Sequence, residues 1–310
     1  MTASRSNRPR SRRYDDADWR PDDTPNTSDE HDMLEPAAHG AQTADREIDP
    51  DEPQWSSYRD ASKGPDPVPD WVVRDPRAID LDLGVMKSGK EADVSLLLRS
   101  VDDGVRAASS LLAVKRYRSA EHRLFHRDAG YLEGRRVRRS RENRAMATRT
   151  TFGRELIAEQ WANSEFHMLG RLWSAGASVP YPVQLIGTEL MMEFIGDTDG
   201  VAAPRLAQIH ADVNEATSLY LQLVDVLHHF ADAGYVHGDL SAYNVLVHDG
   251  RVVVIDLPQA VDVVANPLGF EYLRRDCQNI CAWFSARGVQ RADADELFTD
   301  LSAQTRESAP

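Results

Sequence analysis

The stretch HGDLSAYN, residues 237–244, sets a histidine, an aspartate and an asparagine between apolar runs, and VVVID, residues 252–256, ends another apolar run on an aspartate. Asp239 and Asn244 are poor strand formers and costly to bury without partners, so their place between core segments calls for a task. Asp239 offers a proton acceptor, and Asn244 and Asp256 offer two oxygen ligands for Mg²⁺. Lys115, in the apolar run LLAVKRY, adds a fixed cation. Glu165, in WANSEFHML, adds a carboxylate on the helix that follows, with Glu155 and Glu159 competing one or two turns earlier. Together these are the groups needed for ATP-dependent phosphoryl transfer, a reaction driven by positioning and charge neutralisation more than by covalent chemistry.

The elements that must hold these groups follow from periodicity and turn chemistry. DLDLGVMKSGKEADVSLLLRS and SSLLAVKRYR read as strand, glycine-containing loop, strand, turn and strand, an antiparallel unit. Residues 155–174 carry apolar side chains at mostly helical spacing, VPYPVQLIGTELMMEFIG reads as two strands around Gly187, and residues 214–234 form a second amphipathic helix closed by Gly234. VLVHDGRVVVIDLPQA is a hairpin turning at Asp249-Gly250, and two helices, 271–287 and 293–304, finish the chain. This order implies an α+β, two-lobed arrangement.

The loop between the first two strands, Met86 to Val94, has no G-x-G-x-x-G pattern. Its lone Gly89 is weak support for a phosphate loop, yet the backbone amides near Ser88 and Gly89, the Ser88 hydroxyl and the Lys90 charge can hold phosphate oxygens.

Composition narrows the setting. The 310 residues carry a formal net charge of −14, so the molecule as a whole repels nucleic acid and anionic membranes. No apolar run approaches the ~18 residues of a spanning helix and no apolar core follows the N-terminal arginines, which implies a cytoplasmic protein with no membrane contact. Two cysteines, Cys277 and Cys281, share one helix face and read as buried thiols rather than a disulfide framework. Residues 1–70 are rich in Asp, Glu, Pro, Ser and Thr and read as a disordered, charge-segregated tail, with order beginning near Trp71. Within the basic stretch 118–154, residues 134–154 have no apolar stripe and read as a long mobile loop or a partly ordered helix, and the part 135–154 is the one local patch suited to RNA phosphates.

As an ordered set, KSGKEADV, LAVKRYR, YLEGRRVRRSRENRA, SEFHMLGRL, VPYPV, LMMEFIG, VHGDLSAYNVLV, VVVIDLPQAV and NPLGFEYLRRDCQNI resemble the RIO family of atypical protein kinases, closest to its RIO1 type, from about Trp71 to Val289. The long acidic tail looks more like a bacterial member. The resemblance implies a trimmed protein-kinase-like fold: a β-rich N-lobe with one long helix over 71–195, a mainly helical C-lobe over 196–290, and a C-terminal helix and tail over 291–310. It implies ATP and Mg²⁺ as cofactors, with Mn²⁺ as a substitute, a protein substrate phosphorylated on Ser or Thr, and ribosomal or RNA contact through 135–154. By position, Ser88 and Lys90 would lie at the phosphates and Lys115 would pair with Glu165. Met192 to Phe194, with Glu193 and Phe194 at the nucleotide, would form the hinge. Asp239 would be the catalytic aspartate, and Asn244 and Asp256 the metal ligands. Asp256 would also be an acceptor of phosphate, so that ATP hydrolysis runs through a phospho-aspartate. His237 is expected to orient its loop rather than act as a base.

Two other functions share parts of this pattern. Aminoglycoside- and choline-type phosphotransferases also use an HGDxxxxN loop, but more often with His-Pro-Gly where this chain has Ser-Ala-Tyr. A non-catalytic scaffold switched by ATP would not need the full catalytic set.

Overall fold

The computed structural model describes residues 54–102, 104, 107–118 and 151–308. A seven-stranded antiparallel sheet forms the upper lobe, built from β1 (Gln54–Trp55), β2 (Ser62–Lys63), β3 (Ile79–Ser88), β4 (Ala92–Asp102), β5 (Ala107–Tyr117), β6 (Pro182–Ile186) and β7 (Glu189–Glu193). Their spatial order is β1-β3-β4-β5-β7-β6-β2. Helix α1 (Thr151–Ser174) packs against it between β5 and β6 in the chain.

Alternation along the strands separates two faces. On the outer face Leu97, Leu112, Val114, Val183 and Met191 are covered by Tyr58, Val72 and Tyr181. The same face carries buried Arg99, which bonds Asp80 through Nε at 2.7 Å and Nη2 at 2.8 Å and reaches Gln184 at 2.9 Å. The inner face carries Val94, Ala113 and Lys115 toward the second lobe.

The lower lobe begins with α2 (Val213–Asp232), capped by the Asp212 carboxylate on the N–H groups of Asn214 and Glu215 and closed by Gly234 at φ +79°. Strand β8 (Tyr235–Val236) pairs with β11 (Val261–Asp262), and β9 (Val245–His248) with β10 (Arg251–Val254). Asp249 and Gly250, both at positive φ, make the two-residue turn that matches strand twist. Helices α3 (Gly269–Ser285) and α4 (Ala294–Ser308) close the lobe. The expected α2 stripe, Leu219, Leu223, Val226, Leu227 and Phe230, is buried with Leu273, Cys277, Ile280, Phe284, Leu297 and Leu301. Both cysteines are free and buried, and burial pushes the Cys277 thiol up to about 12.

Three boundaries differ from the sequence reading. The described structure already includes Gln54, ahead of the onset expected near Trp71, because two-residue strands extend both edges of the sheet: β1 pairs with β3 and β2 with β6. Such short pairings need only backbone groups and leave no apolar period to read. Helix α1 starts at Thr151, inside the stretch 118–154 expected to be loop, whose residues 119–150 lie outside the described residues, as do residues 1–53 of the expected tail. Helix α4 is part of the lower-lobe core through Leu297 and Leu301 rather than an appendage. Among the described residues no helix is long and apolar enough to cross a membrane.

Candidate active site

A cleft of about 990 Å³ lies between the lobes, within the range of small-molecule sites. Lys115, from β5, stands in it with Nζ 2.8 Å from Glu165 Oε1 of α1 and 2.8 Å from Asp256 Oδ1 of the lower lobe. The Glu165 side chain is 2% exposed and that of Asp256 40%, so the first is a structural counter-ion and the second the carboxylate that opens to the cleft. Glu165 also accepts the Tyr117 hydroxyl and, at 3.2 Å, the N–H of Leu257. One helix carboxylate therefore ties the sheet lysine to the segment just after Asp256.

The electrostatics follow from this triad. Burial opposes the charge on Lys115, but Glu165 and Asp256 outweigh it and raise its pKa, so the ammonium persists. Burial likewise opposes ionisation of Asp256, and the charge and hydrogen bond of Lys115, with the charge of Lys87, hold its carboxyl below the ordinary value. Asp256 has φ +68°, a conformation that costs a non-glycine residue about 1 kcal/mol or more and is retained where surrounding structure imposes it.

The loop carrying Asp239 is held almost entirely through its backbone. Asp276, buried on α3, accepts the Gly238 N–H at 2.8 Å and the Leu240 N–H at 3.0 Å. Arg275 donates to the Gly238 carbonyl and Asn279 Nδ2 to the Leu240 carbonyl. His237 Nε2 donates to the Ile255 carbonyl at 3.0 Å while its Nδ1 accepts the Asp239 N–H at 3.3 Å, so the ring is spent on orientation. The Ile255 N–H reaches the Asn244 carbonyl at 2.9 Å, which seats the far end of the loop beside Asp256 as well. Gly238 is required here: at φ +80° an added Cβ would lie 2.5 Å from the Gln259 carbonyl oxygen.

Residues 103–297 match the family described as the RIO domain. The chain belongs to the RIO domain family. This RIO domain is 39% identical over 142 residues to the RIO-type serine/threonine-protein kinase Rio1 of Haloferax volcanii, covering 46% of this chain and 47% of that one. It is 33% identical over 224 residues to the human serine/threonine-protein kinase RIO1, covering 69% of this chain and 35% of that one. It thus spans less than half the length of these curated relatives. A solved Rio2 kinase from Chaetomium thermophilum is similar at a TM-score of 0.48 and 22% identity, covering 73% of each chain.

Within the RIO domain, the residues singled out from sequence fall into two groups. Lys115, Glu165 and Asp256 meet directly, and Lys90, Glu193 and Phe194 line the cleft. The Glu193 carboxylate turns away to accept the Tyr181 N–H at 3.1 Å, its own N–H reaches the Tyr181 carbonyl at 2.9 Å, and burial raises its pKa. Asp239 and Asn244 sit on the tethered loop, with Asn244 Nδ2 donating to the Asp239 carbonyl at 2.9 Å. Ser88 is not brought to the cleft lining. Bulges at Asp82/Gly84 and Val85/Lys87 offset one another, so Ser88 pairs with Asp93 on the outer face, where its hydroxyl bonds Asp93 and accepts from Arg118 Nη2 at 2.8 Å.

The sequence reading missed Asp276, Arg275 and Asn279. The available signal was a single carboxylate between Leu273 and Cys277 on the buried stripe of a helix, where an acid is costly unless it has partners.

Proposed function

We propose that this RIO domain binds ATP with Mg²⁺ in the cleft and transfers the γ-phosphoryl group to serine or threonine hydroxyls of a protein, its own included. Hydrolysis of ATP through a transient acyl phosphate on Asp256 belongs to the same reading. The observation that carries it is the Lys115 ammonium, held between a buried carboxylate and a cleft-facing one beside a loop that presents Asp239. Val94 and Ala113 from the sheet, with Leu246 and Ile255 from the lower lobe, give the cleft apolar walls suited to a flat base.

The donor set suits a hard divalent cation. Asp256 offers carboxylate oxygens, and Asn244 keeps its amide oxygen available because its NH₂ is spent on the Asp239 carbonyl. Mg²⁺, or Mn²⁺ in its place, would supply neutralisation of phosphate charge when bound there. Asp239 accepts the proton of the attacking hydroxyl, that oxygen bonds to the γ-phosphorus, the bond to the β–γ bridging oxygen breaks, and ADP leaves. Lys115 holds phosphate oxygens in place. In the hydrolytic branch an Asp256 oxygen is the attacking atom, and water then cleaves the acyl phosphate.

A cytoplasmic setting is supported by the acidic net charge and the two free thiols. Contact with RNA phosphates through 135–154 is supported by the arginines of that stretch.

Asp239→Ala is the test. The variant should bind ATP as the unaltered chain does while turnover falls by about 10²-fold or more, the scale of a positioned acid-base group. Undiminished turnover would remove Asp239 from the chemistry and the reading with it.

A further inference from the structure

Lys87 precedes Ser88 on β3 and lines the cleft. We infer that Lys87 is a second phosphate-binding lysine, holding the γ-phosphate from the sheet side of the cleft opposite Asp256. This rests on the reading of the cleft as an ATP site.

The register makes the case. Lys87 pairs with Val94, Val94 with Lys115, and Lys115 with Leu190, so the four share one row across β3, β4, β5 and β7. Directly paired residues face the same side, and Lys87, Val94 and Lys115 all line the cleft. The bulge between Val85 and Lys87 offsets the earlier one between Asp82 and Gly84; with the first alone Lys87 would share the outer face with Val85, and Ser88 would point to the cleft. Strands lie ~4.8 Å apart, so the two lysines stand about 10 Å apart with Val94 between them. The hinge continues from β7, so Lys87 lies two strands farther from the base than Lys115, at the distal end of a triphosphate laid along the row. Among the described residues no carboxylate forms an ion pair or hydrogen bond with Lys87, whereas Lys115 is held by two.

Affinities of ATP, ADP and adenosine in the presence of Mg²⁺ test this in the unaltered full chain, in Lys87→Met and Lys87→Gln, and in Lys90→Met as the neighbouring cation. Loss of one hydrogen bond to a charged group predicts about tenfold weaker ATP binding in both Lys87 variants, with ADP changed less than about twofold and adenosine not at all. An equal loss for all three ligands, no loss, or a selective loss confined to Lys90→Met overturns the inference. Absence of ATP binding by the unaltered chain overturns the ATP reading itself, and this inference with it.

Discussion

Lys115 Nζ and Asp256 Oδ1 stand 2.8 Å apart, joining the sheet of one lobe to the strand end of the other. The pair is completed by Glu165, which is far more buried than Asp256, so the lysine joins the two lobes as well as facing the cleft. Removing one partner of a buried pair costs about 3–5 kcal/mol because a charge is left uncompensated. Lys115→Met should therefore lower the melting temperature as well as abolish turnover. Lys115→Met with Glu165→Gln should recover part of the stability and none of the activity. Equal melting temperatures for the single and double variants would show that Glu165 is not the uncompensated charge.

Asp256 and Asp276 respond to acid in opposite senses. The folded pKa of Asp256 lies below its unfolded value, so its contribution to stability is present above the unfolded value and is lost as pH falls through the folded one. Burial raises Asp276, despite His237, the amides of Gly238 and Leu240, and Arg275 acting against it. On acidification Asp276 therefore takes up its proton first, while the fold still holds, and loses acceptor capacity for two amides of the loop that carries Asp239. Activity should fall at a higher pH than the loss of helical circular dichroism. Coincident midpoints would contradict this order.

Gly238→Ala should fold poorly or lose turnover, because the new methyl group meets the Gln259 carbonyl oxygen at 2.5 Å and the backbone sits at φ +80°. The left-handed conformation alone costs about 1–2 kcal/mol, before the clash is relieved. Gly250→Ala, at φ +72° in an exposed turn with nothing within 4 Å of the added atom, is the matched control. It should lose similar stability from strain yet keep its turnover per folded molecule, and equal catalytic loss in the two variants would contradict the steric account.

What was legible in the sequence was what chemistry spaces along the chain. Asp239, Asn244 and Asp256 stand out because polar residues interrupt apolar runs at intervals set by a short loop and a tight hairpin, and Lys115 because it ends an apolar strand. Asp276 stayed hidden because its partners are backbone N–H groups that no side-chain pattern records. The orientations of Lys87 and Ser88 stayed hidden because they depend on the register of β3 with β4, where two successive bulges shift the pairing and then restore it. Strands β1 and β2 are too short to show a period at all.

The central claim is that this cleft moves the γ-phosphoryl group of ATP. Its most direct measurement is incubation of the purified chain with γ-labelled ATP and Mg²⁺, followed by mass spectrometry to locate the label. The account predicts phosphate on Asp256 or on serine and threonine residues, with the serine and threonine label falling about 10²-fold or more in Asp239→Ala. ATP that binds but leaves no label on the chain and releases no phosphate would contradict it.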